Sequence, residues 1–273
     1  LTKKNTFFIE GLKLTNNKKI KDVKKIVIDF EDKDGLKNKI QISKENEYYS
    51  VKGDSFNINE IVSQLLDSKN NKKLNFFEKK FKLIFDIKKI FLDKNNMTNN
   101  LKGSLLFNQN KINELNLDAE FDNKQKIKFT IKTTNNNEKI TTLFSNRAKP
   151  LVDRYKFIKG FDKGELDFYS IKKNNNSNSI IKIYNFKLKE LPALTKLLTL
   201  ASLQGIADLL SGEGIRFNEF EMKFKNTENL ITIDEIYAIG PAISILMEGY
   251  VEKNNLISLR GTLVPATTIN KTI

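Results

Sequence analysis

The stretch that decides the fold is "FKLIFDIKKIFL", residues 81–92. Phe81, Leu83, Phe85 and Ile87 take every second position, flanked by Lys80, Lys82, Asp86 and Lys88. A period of two sends alternate side chains to opposite faces of an extended chain, so the segment reads as a strand with one apolar and one solvated face. Ile127, Phe129 and Ile131 repeat the pattern between Lys126, Lys128 and Lys132, and Phe220, Met222 and Phe224 repeat it around Glu221 and Lys223. Leu166 and Phe168, Ile181 and Ile183, Ile231 and Ile233, and Ile243, Ile245 and Met247 do the same within 164–171, 179–189, 229–240 and 242–252. Further strands are expected at 24–30, 38–43, 47–53, 101–108, 112–121, 139–144 and 255–265.

The linkers agree. "NNMTNN", "NQNK", "DNKQ", "TNNNEK", "KNNNSNS", "KNTEN" and "EKNN" are asparagine-rich, and asparagine tolerates positive φ and bonds its own backbone, so these read as hairpin turns. The expected fold is therefore mainly β: a long curved antiparallel meander forming an apolar groove, β-taco-like, with one long and one short helix. Its apolar face must be covered by a second sheet, by closure, by helices or by an apolar ligand. Alternation alone leaves a groove and a closed sandwich with an ordinary core both open.

Two segments break the period. In "INEIVSQLLDSK" (58–69) Ile58, Ile61, Val62, Leu65 and Leu66 fall at helical spacing, with Asn57 or Asp54 as the cap. From Leu191 to Gly212 the charged residues are Lys196 and Asp208 alone. Pro192 suits a first helical turn and Gly212 and Gly214 an end, so a helix is expected over 192–211. Leu194, Leu197, Leu198, Ala201, Leu209 and Leu210 fall mainly on one side of it. A helix buried against the sheet, one lying at a lipid interface, or a span remain open; Pro192, Gln204, Gly205 and Asp208 argue against the span.

Composition sets the bounds. The 273 residues carry a net charge of +14, and 29% of them are charged. Lysines scattered through the whole chain fit an A/T-rich coding bias as well as an anionic partner. The long helix is nearly uncharged, which argues against nucleic acid. Cysteine and histidine are absent, so disulfides, a Ser/His/Asp triad, a cysteine nucleophile and a conventional zinc site are excluded. Asp162, Glu165 and Asp167 read as solvated charge rather than as a metal cluster, and "GDSFN" and "GFDKGE" lack phosphate-loop spacing. Arg147, Arg154, Arg216 and Arg260, few in a lysine-rich chain, read as ion-paired positions. No catalytic residue, cofactor or metal is expected. The chain opens on Leu1 rather than Met, which reads as a segment of a longer protein. The organisation expected is a β-rich groove segment over 1–146, with its short helix near 58–69, followed by a β segment over 147–273 that holds the 192–211 helix.

"NRAKPLVDRYKFIKGFDKGELDFYS", "IYNFKLKELPALTKLLTLASLQGIADLLSGEGIRFNEFEMKFK" and "IYAIGPAISILMEGYVEKNNLISLRGTLVPATTIN" together resemble the C-terminal region of AsmA-like proteins, in particular the YhdP branch. The likeness covers roughly residues 145 to 270, and "YSVKGDSFNINEIV" resembles a further element of that family. The resemblance implies a periplasmic β groove within an inner-membrane-anchored protein. It implies a role in carrying phospholipid between inner and outer membranes, so that the outer-membrane barrier is maintained. Phospholipid, the membrane and an outer-membrane or envelope protein are the implied partners, with no nucleic acid. On this reading the alternating apolar rows line the groove and the 192–211 helix caps one end. The rival expectation is an envelope scaffold with a closed β-sandwich core.

Overall fold

The computed structural model describes residues 5–16, 18–61, 80–108, 111–154, 160–189, 212–252 and 256–265. The chain forms two compact units, Leu1–Thr133 and Thr134–Ile273. The first holds β1 (Thr6–Glu10), β2 (Lys13–Leu14), β3 (Ile20–Asp22), β4 (Lys25–Glu31), β5 (Lys37–Lys44), β6 (Tyr49–Asn57), β7 (Phe81–Phe91), β8 (Met97–Asn108), β9 (Lys111–Glu120) and β10 (Lys126–Thr133). Its strands lie in the order β1-β4-β5-β6-β7-β8-β9-β10, with β2 and β3 a separate small hairpin. The second holds β11 (Glu138–Ser145), β12 (Phe161–Lys173), β13 (Asn176–Leu188), β14 (Ile215–Asn226), β15 (Leu230–Ile239), β16 (Ile243–Glu252) and β17 (Ile257–Pro265), in sequential order.

The architecture is mainly β, mostly antiparallel and not closed. Among the described residues β1 pairs only with β4 and β17 only with β16. Every strand expected from alternation is present, and the strands at 6–22 are additional. β6 and β7 depart from the meander by running parallel, with Tyr49 beside Leu83 and Asn57 beside Phe91. The cause is connection length. A tight turn would reverse the chain, whereas residues 58–80 allow it to re-enter from the same end. That crossover opens with a helical turn at 59–61. The Asn57 side-chain oxygen accepts the Asn59 N–H at 3.0 Å there, which is the start expected for the 58–69 helix; its remainder lies outside the described residues. So do all of residues 192–211, where the long helix is expected, with Leu194, Leu197, Leu198, Ala201, Leu209 and Leu210. The described helices are short, Lys149–Val152 and a 3₁₀ turn at Asp122–Lys124. None of them is long and apolar enough to cross a membrane.

A half-buried polar knot secures the start of the crossover. Asn38, 2% exposed, accepts the Asn57 N–H at 2.8 Å and donates to the Leu36 carbonyl at 3.1 Å. Asp32 accepts the Asp34 and Leu36 N–H groups, each at 3.0 Å, and the Asn57 amide at 2.7 Å. Burial pushes the Asp32 carboxyl up, but the hydrogen bonds from Asn57, Leu36, Asp34 and Asn38 outweigh it and hold the group below its ordinary value. A carboxyl lowered by folding contributes stability above its unfolded pKa of about 4, and that stability is lost as pH falls through the lower folded value. The urea midpoint is thus expected to hold from pH 7 to about 5 and to drop below about pH 4. Asp32→Ala should lower the midpoint at pH 7 and shallow the acid fall; an unchanged acid profile in that variant would show that Asp32 does not contribute.

Candidate functional site

Antiparallel register puts directly opposed residues on the same face. In the second unit this assembles transverse apolar rows from strands far apart in sequence. One row runs Leu143–Phe168–Ile181–Met222–Ile236–Met247 across β11 to β16. The next runs Ser145–Leu166–Ile183–Phe220–Ala238–Ile245–Leu263 and reaches β17. On the other side lies Ser170–Ser179–Phe224–Ile233, and Ile231 and Ile243 extend the same face along β15 and β16. The second unit's strand candidates, Leu166, Phe168, Ile181, Ile183, Phe220, Met222, Phe224, Ile231, Ile233, Ile243, Ile245 and Met247, therefore share one face.

The first unit does likewise. Leu83–Leu105–Leu115–Ile131 and Phe85–Gly103–Leu117–Phe129 are rows across β7 to β10, with Phe81 opposite Phe107 and Ile127 opposite Ala119. Phe81 and Phe107 stack at 5.0 Å between ring centroids. Gly103 keeps this row close: a Cβ there would lie 1.9 Å from the Asn116 carbonyl oxygen.

Burial separates wall from core. Leu166, Ile183, Ile233, Ile243 and Ile131 are buried. Phe81, Leu83, Phe85, Ile127, Phe129, Phe168, Ile181, Phe220, Met222, Phe224, Ile231, Ile245 and Met247 are half-buried. In the second unit the buried end is a packed cluster in which Ala148 and Val152, at the short helix, meet Phe161, Leu166, Ile183, Phe186, Ile215 and Phe217. Towards β17 the face opens: Ile257, Leu259 and Leu263 are 59%, 40% and 38% exposed. In the first unit Phe7 on β1, 69% exposed, sits opposite Ile28 on the apolar face.

The opposite face of the second unit carries its ion pairs, among exposed apolar residues such as Tyr169 and Leu246. Glu221 on β14 accepts from Lys182 at 2.5 Å and Lys223 at 3.0 Å, and Lys223 also reaches Glu235 at 2.8 Å. Hydrogen bonds from Lys182 and Lys223 hold the Glu221 carboxyl below its ordinary value, and the bonds to Glu235 and Glu221 push Lys223 up. Arg260 pairs with Glu248 at 2.6 Å. Asp162 takes Lys189 at 3.3 Å. Glu165 stands opposite Tyr184 and Asp167 opposite Lys182 on the ionic face.

Sequence reading missed Ile236. It follows a register shift between Ile233 and Ile236 that restores it to the apolar face. The consecutive charges Asp234 and Glu235 are the signal, because two polar residues in a row interrupt strict alternation. Lys139 was also hidden among many lysines. It lies on the apolar face directly opposite Lys172. Burial and the charge of Lys172 hold it below the ordinary lysine value.

These features define a class: an open, mostly antiparallel β protein with one continuous apolar face per unit. No protein-family model, curated protein or solved structure matches the chain.

Proposed function

We propose that this chain is an AsmA-like groove segment of the YhdP branch, carrying or bridging phospholipid between inner and outer membranes and so supporting the outer-membrane barrier. It works in the periplasm as part of an inner-membrane-anchored protein and performs no enzymatic reaction. One observation carries the reading: aligned rows of large apolar side chains occupy one face of an open sheet, and most of them stay half-buried, with exposed Ile257, Leu259 and Leu263 on β17. Each acyl CH₂ removed from water gains about 0.8 kcal/mol. A floor with an even supply of Phe, Ile and Met contacts keeps that gain nearly constant along the path, so a chain slides without crossing water.

The packed cluster at the Phe161 end favours a second reading, a scaffold whose sheet is sealed by its own side chains. Solvent extraction and native mass spectrometry of the purified protein separate the two. Copurifying phospholipid supports carriage. A lipid-free protein that takes up none from vesicles favours the scaffold.

A further inference from the structure

We propose that Lys139 and Lys172 form an anionic headgroup subsite at one end of the second unit's apolar face, making the preferred cargo an anionic amphiphile. The inference rests on the lipid-carrier reading and adds a headgroup preference to it. Lys139 on β11 and Lys172 on β12 are directly opposed, and Ser177 on β13 continues their row. Like charges in direct cross-strand opposition repel. Neither lysine forms an ion pair with a carboxylate among the described residues, although their strand neighbours Glu138 and Lys173 pair with each other at 3.2 Å on the opposite face. The sheet thus places two lysines side by side on its greasy side, one of them partly buried, with no paired carboxylate among the described residues.

What lies next along the strands fits an amphiphile rather than a free anion. One step in are Thr141, Ser170 and Ser179, with the two serine hydroxyls hydrogen-bonded at 2.8 Å and buried. Phe168 and Ile181 come next, and the packed Phe161 end closes the far side. From Lys172 to Leu166 the strand spans about 20 Å at its normal rise. A phosphate-bearing headgroup between the lysines would sit at the polar end of that span, with its chains directed along Phe168 and Met222.

The test uses the full chain with fluorescent phosphatidylglycerol and fluorescent phosphatidylcholine of identical acyl chains. The protein is expected to prefer phosphatidylglycerol, and raised salt should erode the preference. Each lysine is worth roughly a fivefold affinity for the anionic probe, so K139Q/K172Q should weaken phosphatidylglycerol binding about 25-fold. Phosphatidylcholine binding should not change, the thermal midpoint should not fall, and K139R/K172R should restore the preference. Equal affinity for both probes, or equal loss of both in the folded variant, overturns the subsite and leaves the lipid-carrier reading intact. Competition by inorganic phosphate at the affinity of the anionic lipid overturns the amphiphile assignment. Failure to bind either probe overturns the subsite and the carrier reading together.

Discussion

Met222→Lys is expected to leave the protein folded and to cut its retained phospholipid about tenfold or more. Met222 lies in mid-row, between Ile181 and Ile236, and is half-buried. In the empty protein a lysine there runs its stem along the face and lifts its ammonium to water, at small cost. With an acyl chain laid over the row the ammonium loses that water, and burying an unpaired charge costs several kcal/mol. Each 1.4 kcal/mol of that penalty is a tenfold loss of affinity. Phe129→Asp makes the same test in the first unit, where Phe129 faces Leu117. Phospholipid content by extraction and thermal unfolding should be read on the same preparations. A dry packed core gives the opposite pattern: no lipid on the parent protein, and a stability loss of about 3 kcal/mol or more in both variants. Folded variants with undiminished lipid would remove these residues from the path.

The strands were legible because their chemistry is local. Phe81 to Ile87, Ile127 to Ile131 and Phe220 to Phe224 alternate without interruption, and period two has one structural meaning. Because register preserves faces, the same alternation also placed the candidates of each unit on one side. What stayed hidden depends on distant partners. "TFFIE" (6–10) exposes apolar residues on both faces, so β1 shows no alternation and is defined by its pairing with β4. The parallel pairing of β6 and β7 follows from the path of the connection, which no residue within either strand encodes. Ile236 was lost to a bulge, and Lys139 became distinctive only once Lys172 was known to face it. Which apolar residues are core was equally illegible. Leu166 and Phe168 have the same period and the same face, yet Leu166 packs into the Phe186 cluster while Phe168 remains half-buried at its margin.

That cluster should be the most sensitive place in the second unit, and Phe186→Ala is expected to cost about 4 kcal/mol. Phe186 is buried on β13, stacked on Phe161 of β12 at 5.3 Å and on Phe217 of β14 at 5.2 Å, with the edge of Phe220 at 6.4 Å. One ring therefore links three neighbouring strands. The local backbone is shaped around it: Gly164 adopts φ +82°, and a Cβ there would sit 3.0 Å from the Cβ of Phe186. Truncation leaves a cavity bounded by aromatic rings and by strands whose backbone bonds resist collapse, so little of the lost contact is recovered. A loss of that size is a large share of the 5–15 kcal/mol that typically stabilises a folded protein, and should appear as a fall in both the denaturant midpoint and the thermal midpoint. Phe144→Ala provides the contrast, since Phe144 is 36% exposed on the ionic face opposite Asp167 and should cost under about 1 kcal/mol. A double-mutant cycle between Phe186 and Phe217 should give a coupling of about 0.5–1.5 kcal/mol beyond simple burial. If Phe186→Ala lies within about 1 kcal/mol of the parent, the stack is not what closes this end of the sheet. The face would then have no rigid stop beyond Leu166, and the contrast between a packed end and an open wall, on which the direction of a bound chain depends, would be lost.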